Sequence, residues 1–249
     1  MYLYIYDSFL NDKKYSDLLI KIEKRITDLG IKGKVARLSV LKNMKELIMD
    51  GVKEGVQTVV AIGNNQTFAK VINVVADLDV TLGLIPVDND NSIAKTLGIP
   101  PKVLACDILA SRIIKKIDLG KINNYYFINT AEIVNGDVVI EYNNFKVQPI
   151  TRQNKITLYN FATNENARVV SNPVDGILEA VITPIKSTIF GKKNIAGTVL
   201  PFTKIKIGSN ADEQISILTD EQIIMKTPAE ISVVPQKLKI IVGSERSFE

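Results

Sequence analysis

The sequence of 249 residues contains no histidine and a single cysteine, Cys106. Without histidine, the chain cannot form a Ser-His-Asp triad, a Cys-His pair or a zinc site built on histidine. A single cysteine excludes an internal disulfide framework and fits a reducing compartment, so we expect Cys106 to be a small buried apolar residue. Any chemistry must therefore use carboxylates, lysine, tyrosine, amides, backbone groups or a metal ion.

Long apolar runs and blocks of like charge are also missing. No stretch reaches the roughly 18 apolar residues of a membrane span, and the apolar run 1–7 is too short for a signal peptide. We therefore expect a cytoplasmic protein.

The 31 basic and 27 acidic residues give a formal charge of +4 that is spread along the chain, which argues against nucleic acid as a partner. The sequence also has no Walker P-loop and no Gly-x-Gly-x-x-Gly fingerprint.

The first half of the chain alternates β-branched apolar runs with segments of helical periodicity. The predicted strands are 2–6, 34–41, 58–62 and 81–86. The predicted helices are 16–29, 41–55, the segment directly after Gly63, 92–98 and 103–117. Strands that alternate with helices are joined by right-handed crossovers into a parallel sheet. We therefore expect a parallel α/β nucleotide-binding domain over residues 1–118.

The second half has short alternating runs separated by glycine, asparagine and proline, without helical periodicity. These runs are 125–134, 138–142, 155–161, 178–184, 203–207, 214–218 and 230–234. The pattern predicts an antiparallel β-sandwich or an open barrel over residues 119–249, and we expect the sandwich. A last apolar run, 238–242, is predicted to return to the first domain as a strand. The fold class is therefore α/β followed by all-β.

Two polar loops follow buried strands of the first domain. The first is Gly63, Asn64, Asn65, Gln66 and Thr67, and the second is Asp88, Asn89, Asp90, Asn91 and Ser92. Ligands of open parallel sheets bind at the carboxyl ends of the strands, and a helix start favours phosphate. The same residue types also cap helices without binding anything. The loops taken singly leave both interpretations open.

The order of several segments resembles the diacylglycerol kinase-like lipid kinases. Residues 61–73 are similar to that family's strand, Gly-Gly-Asp-Gly-Thr loop and helix. Residues 83–100 resemble its next signature, in which Ile-Pro precedes a Gly-Thr-x-Asn-Asp loop and Leu-Gly-Ile-Pro follows. Residues 117–129, 175–179 and 220–228 resemble, in turn, the crossing into the second domain, an Asp-Gly-x-Leu-Asp/Glu strand entry and an acidic motif. The resemblance covers nearly the whole chain and implies the two-domain fold.

The two loops depart from the family pattern at charged positions. Asn65 stands at the acidic position of the first loop, and Ser92 replaces an aspartate in the second. Asp88 and Asp90 stand where the family has glycines. Carboxylates beside a polyphosphate repel it by roughly a kcal/mol or more each, unless Mg²⁺ lies between them. Either Asp88 and Asp90 are metal ligands, as we expect, or the site no longer binds a nucleotide triphosphate.

Two further signatures are also altered. The acidic motif keeps Asp220 but has Glu221 and Gln222 where the family has glycine and glutamate. The amino-terminal Asn-Pro-x-Ser-Gly signature is missing, and Asp7 and Ser8 stand in its place. The resemblance implies that Asp220 is the general base or a metal ligand, although it is also a typical turn residue.

The resemblance implies ATP-dependent phosphoryl transfer to a lipid-like or small alcohol, with ATP and Mg²⁺ as cofactors. The nucleotide would be held by Gly63, Asn64, Asn65, Gln66, Thr67, Asn89, Asn91 and Ser92. The alternative is a catalytically degenerate kinase-fold protein that binds a nucleotide or phosphorylated metabolite without turnover. A soluble kinase acting on NAD is a third option. The resemblance allows for a homodimer and for at most peripheral contact with a membrane.

Overall fold

The computed structural model describes the whole chain except residues 40–42, 135, 152, 162–168, 170, 189–190, 195–196, 210–213 and 221–222. The chain divides into two compact units. The first unit contains Met1–Ile117 and Lys237–Glu249, and the second contains Asp118–Gln236.

The first unit is built from strands and helices that alternate along the chain. The strands that begin in it are β1 (Tyr2–Tyr6), β2 (Gly33–Arg37), β3 (Thr58–Gly63), β4 (Thr81–Pro86) and β5 (Ile114–Ile122). The α-helices are α1 (Ser16–Asp28), α2 (Met44–Lys53), α3 (Asn65–Val75), α4 (Ser92–Thr96) and α5 (Ala105–Ser111). Short 3-10 helices lie at Ser8–Asn11, Lys13–Tyr15 and Lys102–Leu104.

The sheet of the first unit is parallel, with strand order β2-β1-β3-β4. Every residue of β3 and β4 is buried, because both faces of these central strands are covered, as their continuous apolar sequences predict. The amphipathic helix α3 buries Phe68, Val71 and Ile72. The parallel α/β class predicted for the first half is confirmed.

One element of the first unit was wrongly predicted. The expected helix 103–117 is only the 3-10 turn Lys102–Leu104 and α5, and the chain continues as the strand β5. Arg112 ends α5 with a left-handed backbone at φ 51°. The carbonyl of Ile113 then accepts a hydrogen bond from the Val242 N–H over 2.9 Å. Consecutive β-branched residues at Ile113 and Ile114 favour this extended backbone.

The second unit consists of strands joined by turns. They are β6 (Tyr125–Phe127), β7 (Thr130–Val134), β8 (Val138–Tyr142), β9 (Phe145–Val147), β10 (Asn154–Tyr159), β11 (Leu178–Thr188), β12 (Gly191–Asn194), β13 (Thr198–Phe202), β14 (Lys204–Ser209), β15 (Ser216–Thr219), β16 (Ile223–Lys226) and β17 (Ala229–Ile241). The end of β17 belongs to the first unit, where Lys239 and Ile240 pair in parallel with Thr81 and Leu82 of β4.

Two antiparallel layers form the core of the second unit. One layer has the order β17-β14-β8-β9, and the other has the order β12-β11-β10-β7-β15-β16, with β13 paired to β11. Side chains from both layers share one buried cluster that includes Ile140, Ile207 and Ile231 from the first layer and Ile156 and Leu178 from the second. The β-sandwich predicted for the second half is therefore confirmed.

The predicted strand boundaries of the second unit need two corrections. The run 125–134 is two strands, β6 and β7, because the chain turns at Ile128 and Asn129. The runs 230–234 and 238–242 belong to the single strand β17. Within the described residues, no helix in either unit has the length and apolar character needed to cross a membrane.

Candidate active site

The polar loops of the first unit lie at the carboxyl ends of neighbouring strands. Gly63, the last residue of β3, pairs with Pro86, the last residue of β4. The Val87 N–H donates to the Gly63 carbonyl over 3.0 Å. On the other side of β3, Tyr6 pairs with Ile62, and Asp7 follows directly. Three chain segments therefore leave the sheet side by side, as parallel topology predicts for a ligand site.

The first loop begins α3 with a capping box. Asn64 Oδ1 accepts a hydrogen bond from the Thr67 N–H over 3.1 Å, and Thr67 Oγ1 accepts one from the Asn64 N–H over 3.2 Å. This reciprocal pair satisfies backbone donors that a helix start would otherwise leave without partners. The side chains of Asn64 and Thr67 therefore fix the start of α3.

Thr67 also links this loop to the end of the first strand. Its hydroxyl donates a hydrogen bond to Oδ2 of Asp7 over 2.7 Å. Thr67 is fully buried, whereas Asp7 is partly exposed. Asp7 is not among the site residues predicted from the sequence. The available signal was its position, because an acid directly after the first strand of a parallel sheet lies at the same edge as the later loops.

Gly63 allows Thr67 to occupy this position. A Cβ added to Gly63 would lie 2.1 Å from Thr67 Oγ1 and 2.6 Å from Thr67 Cβ. Both distances are far below van der Waals contact, so any side chain at Gly63 must displace Thr67. The first glycine of the loop is thus required by the packing of the loop itself.

The second loop combines a buried cap with exposed acids. Asn91 is buried, and its Oδ1 accepts a hydrogen bond from the Ala94 N–H over 2.9 Å at the start of α4. Asp88, Asn89 and Asp90 are exposed. Their side chains therefore face water at the carboxyl end of β4, where a charged ligand or a hydrated ion has access.

The two loops are joined by a neutral hydrogen bond. Asn65 Nδ2 donates to Ser92 Oγ over 3.1 Å, and the Ile93 N–H donates to Asn65 Oδ1 over 3.4 Å. Asn65 and Ser92 are the two positions at which the resembled family carries an acid. The structure thus brings both altered positions into contact, with an amide and a hydroxyl where two carboxylates would meet.

The groups best placed to bind a ligand follow from this geometry. The N–H groups of Asn65 and Gln66 begin α3 and have no acceptor within the helix. The side chain of Gln66 is exposed. Asp88 and Asp90 supply carboxylates, and neither loop contains lysine or arginine. Among the described residues, no group of three acidic or cysteine side chains is arranged to hold a metal ion.

Asp220 lies in the second unit, with its carboxylate turned to the backbone. Its Oδ2 accepts from the Ile128 N–H over 2.9 Å, and its Oδ1 accepts from the N–H groups of Asn129 and Thr130 over 2.8 and 3.1 Å. The side chain is buried, and Asp220 has a left-handed backbone at φ 46°. Asp220 therefore holds the turn between β6 and β7. The other two residues of the predicted acidic motif, 221 and 222, lie outside the described residues.

A second buried carboxylate in this unit connects two of the sequence segments that resemble the family. Asp118 Oδ2 accepts from the Gly176 N–H over 2.7 Å, and Oδ1 accepts from the Gln236 N–H over 2.7 Å. The Asp118 carbonyl accepts from Asn160 Nδ2 over 3.0 Å. Asp118 was not among the predicted site residues. Its bonds give it a structural role in the second unit.

Comparison with known families and proteins places these features in context. Residues 2–122 match the family model of the diacylglycerol kinase catalytic domain. A diacylglycerol kinase of Bacillus subtilis (strain 168) is 40% identical over 77 residues, which are 29% of this chain and 25% of that protein. A diacylglycerol kinase of Staphylococcus aureus (strain JH9) is 35% identical over 81 residues, which are 31% of this chain and 26% of that protein. The matched segments thus span about a quarter of these relatives.

The fold has relatives among solved structures over nearly its whole length. A diacylglycerol kinase from Bacillus anthracis str. Sterne superposes with a TM-score of 0.78 at 18% identity, covering 98% of this chain and 97% of that chain. At this identity the likeness establishes the fold. Residues 2–122 of this chain are thus similar to a diacylglycerol kinase catalytic domain, and the whole chain shares its fold with diacylglycerol kinases of solved structure.

Proposed function

We propose that the chain catalyses ATP-dependent phosphoryl transfer to a lipid-like or small alcohol. The observation that carries this proposal is the meeting of the two polar loops at the carboxyl ends of β3 and β4. One loop opens a helix of 11 residues, and the other presents exposed carboxylates. The similarity of residues 2–122 to the diacylglycerol kinase catalytic domain supports the same reaction class, as do the matched relatives, which are named diacylglycerol kinases.

The nucleotide phosphates are proposed to lie against the start of α3. The N–H groups of Asn65 and Gln66 and the positive end of the helix dipole favour negative charge there. Gly63 and Thr67 keep this start in place through the capping box and the bond to Asp7. Asn89 and the Gln66 amide are exposed donors, whereas the side chains of Asn64 and Asn91 serve as helix caps.

Asp88 and Asp90 are proposed to bind Mg²⁺ that arrives with the nucleotide. Magnesium in phosphoryl-transfer sites is commonly held by one or two protein carboxylates together with phosphate oxygens and water. Two exposed carboxylates on one loop fit this arrangement. When bound, the ion would neutralise phosphate charge. The carboxylates themselves orient the ion, and without it they repel the polyphosphate.

The acceptor is proposed to be a lipid-like alcohol such as a diacylglycerol, and Asp220 remains the proposed acid-base or metal-binding residue. That role competes with its bonds to the turn at residues 128–130.

The test of the proposed reaction is ADP release by the purified chain with ATP, Mg²⁺ and a panel of diacylglycerol and small alcohols. We expect release that requires both an acceptor and Mg²⁺. ADP release that is independent of every acceptor would contradict the proposal.

The second candidate is a kinase-fold protein that binds a nucleotide or phosphorylated metabolite without turnover. The hydrogen bond between Asn65 and Ser92 favours it, because an amide and a hydroxyl replace two acids at the loop contact. Neither group can neutralise Mg²⁺ or accept a proton at neutral pH. This candidate predicts that ATP binds to the wild type while no acceptor in the panel produces ADP.

A further inference from the structure

The segment that follows β17 crosses the end of helix α4. Residues 243–248 lie against Thr96, Leu97 and Gly98, the last residue of α4 and the two that follow it. We call residues 243–248 the capping segment. The capping segment and α4 both belong to the first unit. Phe248 is buried, so an apolar side chain as well as the backbone fixes the segment in place.

The turn directly after α4 provides donors for two carbonyls at the end of the helix. A helix leaves its last carbonyls without donors of its own. Gly98 has a left-handed backbone at φ 67°, which is typical of a glycine at a helix end. The Gly98 N–H donates to the Lys95 carbonyl over 3.0 Å, and the Ile99 N–H donates to the Ala94 carbonyl over 2.9 Å.

The capping segment provides donors for the next two carbonyls. The Ser247 N–H donates to the Thr96 carbonyl over 3.0 Å, and the Gly243 N–H donates to the Leu97 carbonyl over 2.9 Å. Ser247 Oγ donates to the Thr96 carbonyl as well, over 3.3 Å. Ser247 and Thr96 are 151 residues apart in sequence. The end of α4 is therefore completed by a distant part of the chain.

Two glycines allow the backbones to meet this closely. A Cβ added to Gly243 would lie 1.9 Å from the carbonyl oxygen of Gly98. A Cβ added to Gly98 would lie 2.5 Å from the backbone nitrogen of Arg246. Both distances are far below van der Waals contact, so a side chain at Gly243 must move the capping segment away from the end of α4.

The opposite end of α4 belongs to the candidate site. Ser92 Oγ accepts from Asn65 Nδ2 over 3.1 Å, and the Ile93 N–H donates to Asn65 Oδ1 over 3.4 Å. Thr96 Oγ1 donates to the Ser92 carbonyl over 3.0 Å. α4 has only five residues, and a helix of this length does not persist without contacts at its ends. A displacement at Thr96 is therefore transmitted to Ser92.

We infer that the capping segment positions the second polar loop of the candidate site. Gly243 and Ser247 are positioning residues that act through α4. By holding the end of the helix, they set where residues 88–92 lie relative to Asn65 and the start of α3. As far as it concerns ligand affinity, the inference rests on the proposed function. The mechanical connection along α4 stands without it.

A contribution to overall stability alone makes a different prediction. A segment of that kind would, when disturbed, expose the amides of the whole first unit equally. A positioning segment instead loosens α4 while the central strand β3 remains protected, because local opening needs less free energy than global unfolding. Amide hydrogen exchange, measured residue by residue by NMR, separates the two roles.

The variants of the full chain are Gly243→Ala, which displaces the capping segment, and Phe248→Ser, which removes its buried side chain. Glu245→Gln changes an exposed residue of the same segment and is one control. Gly208→Ala is the control for the glycine substitution, since an added Cβ there meets no atom within 4 Å. Circular dichroism verifies that each variant is folded. Phe248→Ser provides a second route if Gly243→Ala does not fold.

Without nucleotide, the amides of Ile93, Ala94 and Leu97 should exchange about tenfold or more faster in both test variants than in the wild type. These amides donate the hydrogen bonds that fix α4. The amides of Thr58–Gly63 should keep their rates, and both controls should match the wild type. Unchanged exchange at residues 93–97, or an equal acceleration in Thr58–Gly63, overturns the inference.

With ATP and Mg²⁺, calorimetry should show affinity weaker by about fivefold or more in the two test variants, the lower end of energetic coupling between separate sites. Faster exchange in α4 together with unchanged affinity would show that the capping segment does not control the site. If the wild type binds no ATP, the proposed function fails, and the exchange measurement alone decides whether the segment positions the loop.

Discussion

Thr67 Oγ1 lies 2.7 Å from Asp7 Oδ2, so a hydroxyl at the start of α3 is anchored to the residue that follows β1. The same oxygen accepts the Asn64 N–H. One side chain thus connects two chain segments that leave the sheet at the same edge. The start of α3, where we place the nucleotide phosphates, depends on this connection.

Thr67→Val should lower the free energy of unfolding by about 1–2 kcal/mol, because a buried donor and the acceptor for the Asn64 N–H are both lost. Thr67→Ser keeps the hydroxyl and should lose less than half as much. Urea denaturation measures the difference between the two variants. An equal loss of unfolding free energy in Thr67→Val and Thr67→Ser would mean that the hydrogen bonds of the Thr67 hydroxyl do not stabilise the loop.

Restoring acids at the contact between the loops tests which candidate function applies. In an active kinase, Asn65→Asp should leave ADP release equal to the wild type or raise it. In a protein that only binds nucleotide, Asn65→Asp alone should not create turnover. Asn65→Asp combined with Ser92→Asp places two carboxylates together and should strengthen Mg²⁺ binding, measured by calorimetry. Gln66→Glu, an acid added to the exposed neighbour, serves as the control for charge alone.

Asp220→Ala should lower the free energy of unfolding by about 3 kcal/mol or more, since buried N–H groups of the turn at residues 128–130 lose their acceptor. Asp175→Asn, at an exposed acid of the same unit, should change it by no more than about 0.5 kcal/mol. If Asp220 also acts in catalysis, Asp220→Asn should lower ADP release per folded molecule on the order of 10²-fold. A stable Asp220→Ala variant would contradict the structural role.

The pH dependence of stability should carry a contribution from Glu179. Burial raises the pKa of its carboxyl above the ordinary value of 4.5, although the Ser171 hydroxyl, which donates to Glu179 Oε2 over 2.6 Å, opposes the shift. A raised pKa in the folded state means that the folded protein binds the proton more tightly. This contribution is therefore full below about pH 4.5 and is lost as the pH rises through the folded-state pKa.

Glu179→Gln removes this contribution. Urea denaturation of both proteins from pH 4 to pH 7 should give a smaller loss of stability with rising pH in the variant. The exposed Glu141 provides the control substitution, Glu141→Gln. A pH profile of Glu179→Gln that matches the wild type would show that the ionisation of Glu179 is not linked to folding.

The central strands were predictable because their sequences have one interpretation. Thr58–Gly63 and Thr81–Pro86 are apolar runs buried on both faces, and no helical periodicity competes in them. The helix predicted over residues 103–117 was wrong, although the apolar spacing of these residues fits a helix. The helix ends instead at Arg112, which has a left-handed backbone. The hydrogen bond from the Val242 N–H to the Ile113 carbonyl, which joins distant parts of the chain, then holds the backbone at Ile113.

The contacts of the candidate site were less predictable than its location. Strand order and loop composition predict that the two polar loops meet at the carboxyl edge of the sheet, and the structure places them there. The bond between Asn65 and Ser92 joins residues 27 apart in sequence, and that between Thr67 and Asp7 joins residues 60 apart. Such pairs depend on side-chain directions that no local pattern encodes. The bonds of Asp220 to the turn at residues 128–130 were hidden for the same reason.

The most direct test of the account is nucleotide binding by Gly63→Val. A side chain at Gly63 must displace Thr67, whereas an added Cβ at Gly208 meets no atom within 4 Å, so Gly208→Ala is the matched control. Calorimetry with ATP and Mg²⁺ should show binding by the wild type and by Gly208→Ala. Binding by a folded Gly63→Val protein should be weaker by about tenfold or more, the equivalent of one lost hydrogen bond to a charged group. Equal affinity in all three proteins would contradict a nucleotide site at this loop.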